Sequence, residues 1–217
     1  MAHAKPNVFA GVNLVPLSDL YSGVDIMTPS SFEYVLVIGG TGMVRDAVVQ
    51  LARHSRAITV VARGTKRLSE LALQASNIHT ISVDYSNATG FERALTASTQ
   101  GQTNFDLAVV WVHDSSPPGV MQAARFVGSA KRPGKFFHIL SSAVADPSSP
   151  LRSRRADFDR IEHLKYHEVI LGFVAGSSGS QSRWLTHQEI SKGVIEAVET
   201  GVGRFVVGSV HPWSARP

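Results

Sequence analysis

An unbroken apolar run, Val35-Leu36-Val37-Ile38, leads directly into Gly39-Gly40-Thr41-Gly42-Met43. Four apolar residues in a row, closed by glycine, read as a strand covered on both faces, as in a parallel sheet packed between helices. Val44, Ala47, Val48, Leu51 and Ala52 then fall at helical spacing, which predicts a helix beginning near Gly42. Ala57 to Ala62 supplies a second strand and completes a β-α-β unit. Glycine in the turn lets the backbone bend tightly and lets a pyrophosphate approach main-chain N–H groups without a Cβ in the way. The helix beyond it aims the positive end of its dipole at that phosphate. The expected cradle is therefore Gly39, Gly40, Thr41, Gly42 and Met43. A third glycine of G-x-G-x-x-G would stand at position 45, where Arg45 is found. That predicts either a slightly displaced helix or an Arg45 side chain turned toward phosphate. The bland alternative is a glycine-rich turn that holds no ligand.

Arg63 closes the second strand. A carboxylate at this place bonds the ribose 2′-hydroxyl of NAD, whereas an arginine accommodates the 2′-phosphate of NADP. No acid stands between Thr59 and Ser69, and Arg63, Lys66 and Arg67 form a small cationic group. NADP is expected ahead of NAD; a solvated basic loop is the alternative. A third strand, Ile78 to Val83, ends in Asp84 and Tyr85. Asp84 is placed to accept from an adenine amino group and Tyr85 to pack on the ring, or both are ordinary turn residues.

With 217 residues and 43% hydrophobic content, one compact domain over 34–217 is expected. Residues 1–33 carry Pro6, Pro16, Pro29 and several serines and read as an extension, loosely packed or disordered. A net charge of +4, with scattered cations, does not call for nucleic acid. The absence of cysteine excludes disulfides and thiolate metal sites. No apolar run approaches the ~20 residues of a membrane span, and the N-terminus lacks the pattern of a secretory signal. A soluble, cytoplasmic protein is expected.

Helices are expected over Thr65 to Leu73, Ala88 to Ala97 and Gly119 to Ala130, and strands over Phe105 to Val112, Lys135 to Leu140, Tyr166 to Val174 and Phe205 to Val207. The fourth strand ends in His113-Asp114-Ser115-Ser116, the fifth in Ser141-Ser142. In an open α/β sheet, ligands bind outside the carboxyl ends of the strands where strand order reverses. Arg152, Arg154 and Arg155 either greet an anionic substrate or are simply solvated. Thr186-His187-Gln188-Glu189 has the capping-box form, with Gly201 closing the helix it opens.

Val-Ile-Gly-Gly-Thr-Gly-Met, Ala-Arg after the second strand, Val-Asp after the third and Ser-Ser after the fifth together resemble the short-chain dehydrogenase/reductase superfamily. The resemblance covers roughly residues 34–210. It implies a doubly wound parallel α/β sheet of Rossmann type, with about seven strands and helices on both faces. It also implies NAD(P) across the strand ends and hydride transfer to or from a carbonyl, imine or alkene. The chain departs from the family at the catalytic end. Tyr21, Tyr34, Tyr85 and Tyr166 are followed four residues on by Asp25, Ile38, Thr89 and Ile170, so the Tyr-x-x-x-Lys pair is missing. Trp-Val-His-Asp-Ser-Ser stands where the family has Asn-Asn-Ala-Gly.

A reductase built this way needs another proton source. His113 is the first candidate, because imidazole titrates near neutrality and this one lies at a strand end. Asp114 would orient it, and Ser141 and Ser142 would donate to a developing oxyanion. Tyr166, beside Lys165, starts a strand and so belongs to the opposite edge of the sheet. His163 and His167 have H-x-x-x-H spacing, but Leu164 replaces the glutamate such a motif needs, and no metal is expected. Without a Gly-x-Ser-x-Gly elbow a hydrolase is a poor reading. Two functions remain: an NADP-dependent oxidoreductase acting on a small-molecule substrate, or a non-catalytic NADP-binding sensor or partner-binding module. A homo-oligomer is left open.

Overall fold

The computed structural model describes residues 32–99, 104–112, 118–146, 148, 155–176 and 181–217. Its centre is a seven-stranded sheet in the order β3-β2-β1-β4-β5-β6-β9. The strands are β1 (Phe32–Ile38), β2 (Ser55–Ala62), β3 (Ile78–Ser82), β4 (Leu107–Trp111), β5 (Gly134–Ser141), β6 (Leu164–Leu171) and β9 (Arg204–Val207). Every adjacent pair is parallel. A separate antiparallel hairpin, β7 (Phe173–Val174) with β8 (Arg183–Trp184), stands beyond β6. The order reverses between β1 and β4, so the crevice of an open α/β sheet lies over the ends of those strands.

The apolar run of β1 shows why the sheet is covered twice. Val35 and Val37 face one core, with Val48 and Leu51 of α1 (Arg45–Arg53), Leu68 and Leu71 of α2 (Thr65–Ala72), and Ile190 and Val194 of α6 (His187–Thr200). Leu36 and Ile38 face the other, with Phe91 and Leu95 of α3 (Ala88–Thr99), Val120 and Ala123 of α4 (Pro118–Ala124), and Phe158 of α5 (Arg155–Phe158). All four β1 residues are fully buried. At about 1.5–3 kcal/mol for each large aliphatic side chain withdrawn from water, such a strand cannot lie at a wet face.

Several boundaries differ from those the sequence predicts. Phe32 and Glu33, read as part of the extension, begin β1; the rest of that extension lies outside the described residues. The register explains this, since Phe32 pairs with Ser55, and the Asp106 carboxylate accepts from the N–H groups of Glu33 at 2.7 Å and Tyr34 at 3.0 Å. Helix α1 starts at Arg45, not near Gly42. The fourth helix stops at Ala124 rather than Ala130, because Val127 leaves it to bridge Phe105 beside the sheet. Phe105 makes only that bridge, so β4 begins at Leu107. Strand β6 runs from Leu164 and breaks at Gly172, where the Ser209 carbonyl comes too close for any Cβ. Helix α6 forms as its sequence predicts. Glu189 N–H donates to Thr186 Oγ1 at 3.2 Å, Thr186 N–H donates to Glu189 Oε2 at 2.8 Å, and Gly201 takes the left-handed conformation at φ +61. Among the described residues no helix is long and apolar enough to cross a membrane.

Candidate functional site

The turn after β1 is fixed by one close approach. Gly39 has φ +79, and a Cβ there would lie 1.9 Å from the carbonyl oxygen of Trp111 on β4. Only glycine fits, and its N–H donates to Val61 O of β2 at 2.9 Å. Gly42 has the opposite surroundings: a Cβ there would meet nothing within 4 Å. The space it would enter is a cavity of about 540 Å³ at the carboxyl ends of β1, β2 and β4, walled by Gly39, Thr41, Gly42 and Met43 on one side and Arg63, Lys66, Arg67 and Tyr85 on the other. Gly40 is not part of the wall. It packs beneath it, where a Cβ would press on Val37, Val48 and Val60, and so gives the close helix–strand contact expected of a third glycine.

Arg45, the first residue of α1, does not line this cavity, so the expectation that it turns toward phosphate is not met. The cations come from the end of β2 and the start of α2. Among the described residues no carboxylate lines the cavity. The Arg63 guanidinium lies 5.6 Å above the centre of the Tyr85 ring. Asp84 is not in the wall: its carboxylate accepts from Ser86 N–H at 3.0 Å. Bonds from Ser86, first of all, hold that carboxyl below its ordinary value, and the charge of Arg63 adds to them. Trp111 reaches the cavity from the last position of β4. The sequence predicts it only as part of the strand Phe105 to Val112; its place at the end of that strand is what brings it to the crevice.

These groups suit a phosphate-bearing dinucleotide. The wall offers an uncluttered backbone surface at Gly42, cations opposite it and an aromatic face beside them. Arg63, Lys66 and Tyr85 would hold the adenosine end, and the turn 39–43 the diphosphate. A nicotinamide coenzyme held there would supply or accept hydride.

Of the remaining candidates, Ser141 and Ser142 lie at the carboxyl rim. Ser141 ends β5 and is exposed; Ser142 opens a short 3-10 turn, Ser142–Ala145, and is buried. His113 and Asp114, with Arg152 and Arg154, lie outside the described residues. Arg155 is not directed at a substrate: it donates to Tyr166 O at 3.1 Å and Gly203 O at 2.5 Å and lies over the Tyr166 ring. Tyr166 is the third residue of β6, far from the carboxyl rim, with its hydroxyl 3.0 Å from His138 Nδ1 and its ring stacked on Phe158. His167 is buried on β6 and bonds Val202 O through Nδ1 at 2.9 Å, while His163 lies in the turn before the strand. On the far side, Ser191 Oγ of α6 donates to Met43 O at 3.0 Å and ties that helix to the glycine turn.

No family model and no curated protein sequence matches the chain. Solved structures do. One from Pseudomonas aeruginosa, the RhlG/NADP active-site complex, shares 18% identity over 81% of this chain and 94% of its own, with a TM-score of 0.55. A short-chain dehydrogenase/reductase from Serratia marcescens shares 15% identity over 83% and 99%, with a TM-score of 0.63. One from Vibrio parahaemolyticus shares 14% over 80% and 98%, with a TM-score of 0.62. This chain has the fold of the short-chain dehydrogenases/reductases. The expected doubly wound parallel sheet is the one found, with its cavity at the end of the sheet where that fold opens. Between β5 and β6 the chain carries little described helix. The helix described there, α5, is four residues long, and neither Tyr166 nor Lys165 reaches the carboxyl rim.

Proposed function

We propose that residues 34–217 form a Rossmann-like nucleotide-binding domain that uses NADPH to reduce a small carbonyl or imine compound. The observation that carries this reading is the cavity wall: bare backbone at Gly42 together with Arg63, Lys66 and Arg67, and no acid among the described residues that line it. Arg63 and Lys66 pair with the 2′-phosphate of NADP, for which NAD has no counterpart. Tyr85 packs on the adenine. At the other end of the crevice Ser141 and Ser142 would donate to the atom of the reacting group that becomes negative, the carbonyl oxygen or the imine nitrogen. His113 delivers the proton to that oxygen or nitrogen, giving the alcohol or the amine.

Two measurements test this. Calorimetry is expected to show NADPH binding at least about tenfold more tightly than NADH, the equivalent of one charge-assisted bond. Binding of neither nucleotide overturns the assignment. Deuterated NADPH is then offered with a panel of carbonyl and imine compounds, and deuterium is expected on the reduced carbon. Tight NADPH binding without transfer to any of them favours a coenzyme sensor over a reductase. His113→Ala is expected to lower turnover by about 10²–10⁴-fold with little change in coenzyme affinity, the usual contribution of a general acid.

A further inference from the structure

The carboxyl ends of β5 and β6 carry an arginine that the chemistry above does not use. After β9 the chain returns beside β7, where Phe173 N–H donates to Ser209 O at 2.9 Å and Ser209 N–H donates to Phe173 O at 2.8 Å. Phe173 also pairs with Trp184 of β8. The tail then makes one 3-10 turn, Trp213–Ala215, and lays Arg216 over the hairpin. The guanidinium is 5.0 Å from the ring centre of Trp184 and 5.0 Å from that of Trp213. Asp146 closes the short turn that Ser142 opens at the end of β5. Its carboxyl is held below the ordinary range by Ser148, whose side chain and N–H both donate to it, and Arg216 adds to the effect. Ser141 pairs with Leu171 at the end of β6, and the hairpin begins two residues later, so Arg216, lying over Trp184, stands on the side of the sheet where Ser141 ends β5.

Cation–π contact engages the charge of a guanidinium and leaves its N–H donors uncommitted. Among the described residues no carboxylate lies within ion-pair distance of Arg216, Asp146 included. An arginine held by two indoles presents a planar fork in one orientation, and a carboxylate is the group that matches it with two parallel bonds. Holding the fork still lowers the entropy lost when a ligand is captured. The ionised Asp146 nearby disfavours a doubly charged ligand.

We propose that Arg216, steadied by Trp184 and Trp213, binds the carboxylate of the substrate, so that the compound reduced at this site is a small oxo acid with one negative charge. This rests on the reductase reading above, and the experiment separates the two. Pyruvate, acetoacetate and levulinate, their methyl esters and dihydroxyacetone phosphate are titrated into the full chain, with and without NADPH. The signal is intrinsic fluorescence, to which Trp184 and Trp213 contribute two of the three tryptophans. At least one free acid is expected to give a saturable change, with its ester bound about tenfold more weakly, the worth of a bidentate charge-assisted contact. Arg216→Gln is expected to lose that difference, and Arg216→Lys to keep part of it as a point charge without the fork. Acid and ester binding alike, the phosphate binding more tightly than any acid, no saturable signal, or an unchanged Arg216→Gln each overturns the proposal. If NADPH binds and no acid does, the carboxylate site fails alone. If an acid binds through Arg216 and NADPH does not bind, the coenzyme reading fails and the carboxylate site stands.

Discussion

The two ends of the sheet's carboxyl rim are built by opposite rules. Around β1 and β2 the wall is drawn from two short stretches, within 39–43 and 62–67, with Tyr85 and Trp111 beside them, and its decisive surface is backbone. Beyond β5 and β6 the described side chains that the proposed acid site draws on, Ser141, Trp184, Trp213 and Arg216, are spread over 76 positions of the chain, 141 to 216. A backbone surface must be written locally, because only glycine in the right place can bare it. A surface of side chains can be collected from anywhere the fold brings together.

The sharpest way to break the comparison is to give the turn a side chain. Gly39→Ala places a Cβ against Trp111 O at a positive φ, and a loss of about 3 kcal/mol or more of stability is expected in urea denaturation. An unchanged midpoint would show that β1 and β4 are free to part there. Arg63→Gln leaves the backbone alone and removes the specificity. The NADPH-to-NADH affinity ratio is expected to fall roughly 10- to 100-fold, the worth of a charge-assisted bond, with NADH binding little changed in calorimetry.

Gly42→Ala separates binding from folding at the same turn. Its Cβ meets open space, so stability is expected to hold or rise by about 0.4–1 kcal/mol, while NADPH affinity drops about tenfold. At the other end of the rim, Thr186→Ala removes one half of the capping box that opens α6. About 1 kcal/mol of stability is expected to go, read from the urea midpoint.

The smallest effect concerns His167. Burial, first of all, holds its imidazole below the ordinary value of 6.5, so the unfolded chain binds its proton more readily than the folded one. Stability from this group is complete above 6.5 and is lost as pH falls below that value toward the lowered one. Unfolding free energies measured from about pH 8 to about pH 5 are expected to decline on the acid side, and His167→Asn to flatten part of that slope.

The same contrast explains what could be read from the chain. The parallel sheet was legible in Val35–Ile38, because four apolar residues in a row leave no face for water. That the turn after β1 and Arg63 would border one crevice was legible because each directly follows an apolar strand run. Strand and helix ends were less so: Val127 looks helical by spacing, and only its bridge to Phe105 draws it out of the helix. Trp184, Trp213 and Arg216 carried no local signal. Nothing in three separated residues announces that a hairpin and a returning tail will stack them.

The hydroxyl of Ser191 on the main chain of Met43 has a mechanical consequence. Helix α6 begins just after the β7–β8 hairpin, and its first turns are clasped by Arg183, Thr186 and Glu189. Whatever tilts that hairpin also tugs the loop where diphosphate would rest. Seating of coenzyme at one extremity of the groove and capture of an acid at the other would thus share one mechanical connection.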